Sequence, residues 1–104
     1  MKVAWTPGAL QDLTDIGRFV ASDDPSAARR LTARLKTRAN RAARFPYAGR
    51  IVPEFAREDI REFVEGNYRI VYRVLRRHIH ILTVFEGHRR LSPKNAEPSE
   101  PLSP

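Results

Sequence analysis

Tyr68-Arg69-Ile70-Val71-Tyr72-Arg73-Val74-Leu75, then Arg76-Arg77, then His78-Ile79-His80-Ile81-Leu82-Thr83-Val84-Phe85-Glu86 is the stretch whose reading decides the fold. β-branched and aromatic residues recur at every second place on both sides of the two arginines, which predicts two strands, because side chains alternate between the faces of a strand. Arg76-Arg77 is then the turn. Its composition is poor for a hairpin, so its placement rests on the flanking strands. With two residues in that turn, Tyr68, Ile70, Tyr72 and Val74 share a face with Ile79, Ile81, Thr83 and Phe85. The reverse face holds Arg69, Val71, Arg73 and Leu75 beside His78, His80, Leu82, Val84 and Glu86.

One step upstream, Ile60 to Glu65 alternates in the same way, and Gly66-Asn67 is a favourable hairpin turn. Three strands joined by tight turns make an antiparallel meander. In this register Arg73 lies across from His80. Glu62 lies opposite Val71 and diagonal to both Arg69 and Arg73, a carboxylate between two guanidiniums. Ile60 and Val64 join it on the reverse face.

Further upstream the period changes to that of a helix. Thr6-Pro7 is a cap followed by a first-turn proline, after which Leu10, Leu13, Ile16 and Val20 mark one apolar stripe over about residues 7 to 22. Asp24-Pro25 repeats the signal and opens a second helix with Ala28, Leu31, Leu35 and Ala42 inward. Arg29, Arg30, Arg34, Lys36, Arg38 and Arg41 take its other side, which reads as a solvated face or as a dock for an acidic partner or DNA. The short link makes the two helices an antiparallel hairpin whose stripes face a shared core. Lys2 to Trp5 reads as a short strand, Phe45-Pro46-Tyr47-Ala48-Gly49 breaks the helical period, and a loop runs through Pro53. The fold class expected is α+β, a short N-terminal strand and a helical hairpin packed on an antiparallel β-sheet. Residues 1–91 form its single domain, and 92–104, with four prolines and no aromatic residue, form a flexible tail.

Composition limits the chemistry. The 104 residues suffice for one core. Cysteine is absent, so disulfides, zinc–thiolate sites and thiol nucleophiles are excluded. No apolar run is long enough to span a membrane or to serve as a signal peptide, so no membrane partner and a cytoplasmic address are expected. No cofactor or metal is expected either. Nineteen Lys and Arg against twelve Asp and Glu give a net charge of +7 and a pI near 10.8, a field suited to a polyanionic partner.

The residues singled out for anion or target binding are Arg61, Arg69, Arg73 and His80 on the strands, with His88, Arg89 and Arg90 just beyond the last one. The same residues also fit an ordinary solvated sheet face, where charges alternate without chemistry. A cation beside His80 disfavours its protonated form and does not by itself make a general base. Glu62 reads as a neutraliser of local charge.

The linear pattern adds to this reading. Val3-Ala4-Trp5-Thr6-Pro7 with Ala9, Leu13 and Ile16, then Asp24-Pro25, Ala27-Ala28, Phe45-Pro46 and Gly49-Arg50, resembles the helical half of RelE/ParE toxins of type II toxin–antitoxin systems. Arg61-Glu62-Phe63, Gly66 to Val74 and Ile81 to Arg89 look like the sheet half. The resemblance spans the chain to about Arg90 and leans to ParE. It implies a cognate antitoxin as partner. RelE-like members cut messenger RNA in the ribosomal A site, whereas ParE-like members inhibit DNA gyrase. Arg69 and Arg89 match two RelE arginines. Where RelE has two lysines on the preceding strand this chain has Ile60 and Glu62, and its tail offers no tyrosine as acid or base.

The resemblance therefore implies a ParE-like gyrase inhibitor. The alternative is a ribosome-dependent endonuclease in which Arg69, Arg73 and Arg89 hold a phosphate and His88 moves protons. A non-toxic basic nucleic-acid-binding module is a third reading.

Overall fold

Two capped prolines start the helices where the sequence places them. The computed structural model describes residues 1–87, so His88, Arg89, Arg90, the expected domain end at 91 and the expected tail lie outside the described residues. A first strand β1 (Lys2–Trp5) leads into α1 (Pro7–Ala21), and α2 (Pro25–Asn40) follows, continued by a 3-10 turn at Arg41–Ala43. Thr6 caps α1 by accepting from the Ala9 N–H at 3.1 Å, and Asp24 caps α2 by accepting from Ser26 and Ala27. Thr6 is fully buried and its hydroxyl also lies 2.9 Å from the Ile81 carbonyl, so the cap doubles as a tether to the last strand.

The remaining strands are β2 (Arg50–Ile51), β3 (Ile60–Glu65), β4 (Tyr68–Val74) and β5 (His78–Glu86), in the sheet order β1-β5-β4-β3-β2. Both tight turns stand. Glu65 pairs with Tyr68 across a left-handed Gly66, and Leu75 donates to the His78 carbonyl at 2.9 Å across Arg76-Arg77. Arg73 pairs with His80 and Glu62 with Val71, as the strand register predicts.

Three features differ from the sequence expectation. The sheet is mixed, because β1 pairs in parallel with β5, Val3 against Ile79 and Trp5 against Ile81. Pairing of a four-residue strand with a partner some 75 residues away leaves no local signature. Second, a bulge sets Val71 of β4 against Thr83, while the next residue, Tyr72, pairs with Ile81. The extra residue reverses the faces beyond it. Val84 therefore joins the helix-side core, and Phe85, expected on that side, packs on the reverse. Thr83 is held by the Asp12 carboxylate of α1, which accepts from its hydroxyl at 2.6 Å and from the Val84 N–H at 3.1 Å.

Third, the reverse face is not open to solvent over its whole length. Between β2 and β3 the chain folds across it, so that Val52 and Phe55 pack with Ile60, Val71, Leu82 and Phe85 as a second small core. The main core lies on the other side, where Leu13, Leu31, Leu35 and Ala39 of the helices meet Phe63, Ile70, Tyr72, Ile79 and Ile81. Burial of these side chains, worth about 1.5–3 kcal/mol for each large one, is what holds the two layers together.

Candidate functional site

Arg69 projects from β4 onto the reverse face, and there it is enclosed. Its Nε donates to Glu62 Oε1 at 2.6 Å, while Nη1 and Nη2 donate to the two oxygens of Glu54 at 3.0 Å each. The guanidinium also lies 5.0 Å from the centre of the Phe85 ring. Arg69 is only 7% exposed and Glu62 only 1%. The hydrogen bonds that Arg69 donates to Glu54 raise its already high proton affinity, burial works against them, and the hydrogen bond to and charge of Glu62 add to them.

Glu62 does not bridge Arg69 and Arg73, the two arginines diagonal to it. Its second oxygen accepts instead from Arg50 Nε of β2, directly across the strand pair. Arg73 turns to Asp59, with Nε 3.2 Å from Oδ2. Arg57 grips the same carboxylate through two bonds of 2.9 and 2.7 Å. Slight burial opposes ionisation of Asp59, but the hydrogen bonds and charge of Arg57, and then of Arg73, hold its carboxyl below the usual carboxylate value. Arg61 donates to the Glu58 and Gly49 carbonyls and stacks on Tyr47. The strand cations are therefore dispersed among separate partners.

His80 stands beside Arg73 and 6.0 Å from the His78 ring. Burial first, then the charge of His78 and Arg73, push its pKa below the ordinary 6.5. The unfolded chain therefore takes up the proton first, so this contribution to stability is complete above about pH 6.5 and is lost as the pH falls through the folded value. The melting temperature is expected to decline as the pH drops below about 6.5, and His80→Gln to flatten that decline in a thermal series. An unchanged slope in the variant would count against the effect.

The Tyr72 hydroxyl, buried on the helix side of the sheet, is also occupied. It donates to the Pro46 carbonyl at 2.8 Å and accepts from the Gly49 N–H at 3.0 Å, and burial raises its pKa. Among the described residues no group of His, Asp and Glu is arranged to hold a metal ion.

Residues 3–91 match the sequence family described as ParE toxin of type II toxin-antitoxin system, parDE. The chain belongs to the ParE toxin family. Such a toxin implies a cognate antitoxin as its partner. Y4kP of Sinorhizobium fredii is 36% identical over 91 residues, which cover 86% of this toxin and 91% of that chain. Toxin RelE2 of Caulobacter vibrioides is 37% identical over 83 residues, covering 80% and 91% respectively. Among solved structures, one titled Chromosomal ParDE TA system from P. aeruginosa superposes with a TM-score of 0.69 at 20% identity, over 83% of this toxin and 95% of that chain. That likeness shows the shared α+β fold.

Set against the sequence reading, the structure brings Arg69, Glu62 and, from an unforeseen quarter, Glu54 and Arg50 of this ParE-family toxin into one cluster. Arg61, Arg73 and His80 stay apart from it. Candidates His88, Arg89 and Arg90 lie outside the described residues. Glu54 was missed because it sits in an irregular loop, where the strand period says nothing about direction. A signal did exist: Val71 and Leu82 are apolar on a face read as solvated, and needed a cover that Val52 and Phe55 supply. No helix among the described residues is long and apolar enough to cross a membrane.

Proposed function

We propose that this toxin arrests growth by binding DNA gyrase, without a hydrolytic step of its own, and that its antitoxin neutralises it by covering exposed apolar surface. The enclosure of Arg69 supports this reading. The position that resembles a phosphate-holding arginine of RelE is engaged by two carboxylates, one of them fully buried. A phosphate brought there would meet Glu62 and Glu54, which would repel the negative charge that a cleavage transition state must disperse. The Tyr72 hydroxyl is taken up by Pro46 and Gly49, and the lowered pKa of His80 disfavours the protonated form that a general acid needs. For the antitoxin, Phe19 of α1, at 76% the most exposed large apolar side chain among the described residues, offers an apolar contact.

The deciding experiment measures supercoiling by gyrase with purified toxin and maps message ends in cells arrested by its induction. Supercoiling should be blocked while translated messages remain intact, and His88→Ala should stay toxic. Co-expression of the adjacent antitoxin gene should restore growth. Messages cut within translated codons, with gyrase unaffected, would replace this reading by the endonuclease one, which the likeness to a relative named Toxin RelE2 keeps in view. Expression that leaves growth unaffected would leave only the basic binding module.

A further inference from the structure

The positive charge of the chain is not spread over it. Residues 25–49 contain seven Lys and Arg and no Asp or Glu, and everywhere else twelve cations are matched by all twelve carboxylates, so this segment alone accounts for the net +7. It consists of α2, the 3-10 turn and the loop after it. The buried side chains Ala28, Leu31, Leu35, Ala39 and Ala42 fix which side of the helix faces the core. Arg30, Arg34, Arg38 and Arg41 follow one another at spacings of four, four and three residues, which puts them in a single row on another side.

That row borders two adjoining shallow grooves of about 350 and 360 Å³, and Arg34 and Glu65 line both. Glu65 lies 3.8 Å from Arg34 and 3.9 Å from Arg38, beyond hydrogen-bond reach, and pairs of this kind are worth about 0–1 kcal/mol. Arg38 Nε is buried and makes no hydrogen bond. Arg30 spends one Nη1 donor on the Ser26 hydroxyl at 2.7 Å, and the Arg38 guanidinium lies 4.6 Å from the centre of the Phe63 ring. The donors the row offers outward are therefore mainly those of Arg34 and Arg41 with the remaining nitrogens of Arg30, in contrast to the enclosed Arg69.

We propose that the outer row of α2 is a binding surface for the phosphate backbone of duplex DNA. From Arg30 to Arg41 the row is about 16 Å long, at 1.5 Å per residue, and one DNA strand places a phosphate every 3.4 Å or so of axis, about five over that length. Guanidiniums suit phosphates because two parallel N–H donors meet two oxygens. An acidic protein partner fits less well, since protein interfaces draw their affinity from aromatic and arginine anchors set in well-packed, desolvated pockets, whereas this row borders shallow, open grooves with no exposed aromatic residue beside it on the helix. The exposed large apolar side chains of the described residues lie elsewhere, on α1 (Leu10, Phe19), in the loop after the 3-10 turn (Phe45, Tyr47) and on β2 and β3 (Ile51, Val64), with Met1 at the terminus. The contact is electrostatic and independent of base sequence, and it does not rest on the gyrase reading.

The test is a salt titration of the full-length chain binding a labelled random-sequence 30-base-pair duplex, read by anisotropy. The logarithm of affinity should fall with the logarithm of salt concentration with a slope near −4, about 0.9 for each phosphate neutralised. Arg30→Gln/Arg34→Gln/Arg41→Gln should make the slope shallower by between about 2 and 3 and weaken binding at least about tenfold at 100 mM salt. Lys2→Gln/Arg76→Gln/Arg77→Gln removes the same charge from exposed sites elsewhere and should change the slope by less than about 1. Arg34→Gln alone, expected to lose about 0.9 of slope, serves if the triple variant unfolds. Equal losses in the two triple variants would reduce the effect to net charge and overturn the proposal. So would an unchanged slope in the row variant, displacement of the duplex by polyglutamate of equal charge, or tighter binding of single-stranded RNA than of the duplex.

Discussion

Arg69→Ala is expected to cost about 3–5 kcal/mol of folding stability, the range for removing one partner of a buried ion pair. The cost comes less from the lost bonds than from what they leave behind. Glu62 is only 1% exposed, and its remaining partner, Arg50, has a side chain largely in water. A buried carboxylate with only that support must lose its charge or draw water into the sheet. Glu54 suffers less, because its side chain is partly exposed and can be solvated in place. Replacing the pair together, Glu62→Met with Arg69→Leu, should recover most of the loss, since apolar side chains of similar volume fit beside Val71, Leu82 and Phe85. Urea unfolding of the three variants decides the matter. A loss below about 1 kcal/mol for Arg69→Ala would show that the cluster is solvated and that Arg69 is available to ligands after all. The result also bears on function, because loss of toxicity in Arg69→Ala without this measurement would be misread as loss of a catalytic group.

The second large effect is expected at Gly49. A Cβ there would collide with the Tyr72 hydroxyl and stand 2.7 Å from the Glu62 carbonyl oxygen. Both neighbours belong to buried parts of the sheet and cannot simply turn away. Gly49→Ala should therefore cost about 1–3 kcal/mol or more, as forced overpacking does. Tyr72→Phe by itself strands the Pro46 carbonyl and the Gly49 N–H, at about 1–3 kcal/mol. In the double variant the phenyl ring no longer presents the oxygen with which the new methyl collides, so the two costs should sum to less than their separate values. The residual clash with the Glu62 carbonyl keeps the rescue partial. Strict additivity in a double-mutant cycle of thermal or urea unfolding would show that Gly49 and Tyr72 do not meet as described.

Much of this architecture is legible in the chain before any coordinates. Thr6-Pro7 and Asp24-Pro25 carry their helix starts locally, because a cap and a proline act within one turn. The two hairpins are legible because consecutive strands of alternating pattern pair by proximity, and Arg73 meets His80 where that pattern puts them. The arginine row of α2 is also visible, since helical spacing is a property of the segment itself. What is not legible depends on distant or irregular chain. The bulge between Val71 and Tyr72 leaves the composition of β5 unchanged, yet it exchanges the sides of Val84 and Phe85. Glu54 reaches Arg69 from a loop with no period at all.

The sequence by itself determined the α+β class, the order of elements, the two capped helices, the hairpin registers near their turns, and a charge surplus confined to residues 25–49. Only the tertiary structure decided that β1 runs parallel to β5, that the reverse face is covered, and that Arg69 is held between Glu62 and Glu54 while Arg34 and Arg38 of α2 stand no closer than 3.8 and 3.9 Å to Glu65. The physical reason is range. Caps, turns and side-chain period act over a few residues, whereas burial and ion pairing depend on which distant groups the folded chain brings within a few ångströms.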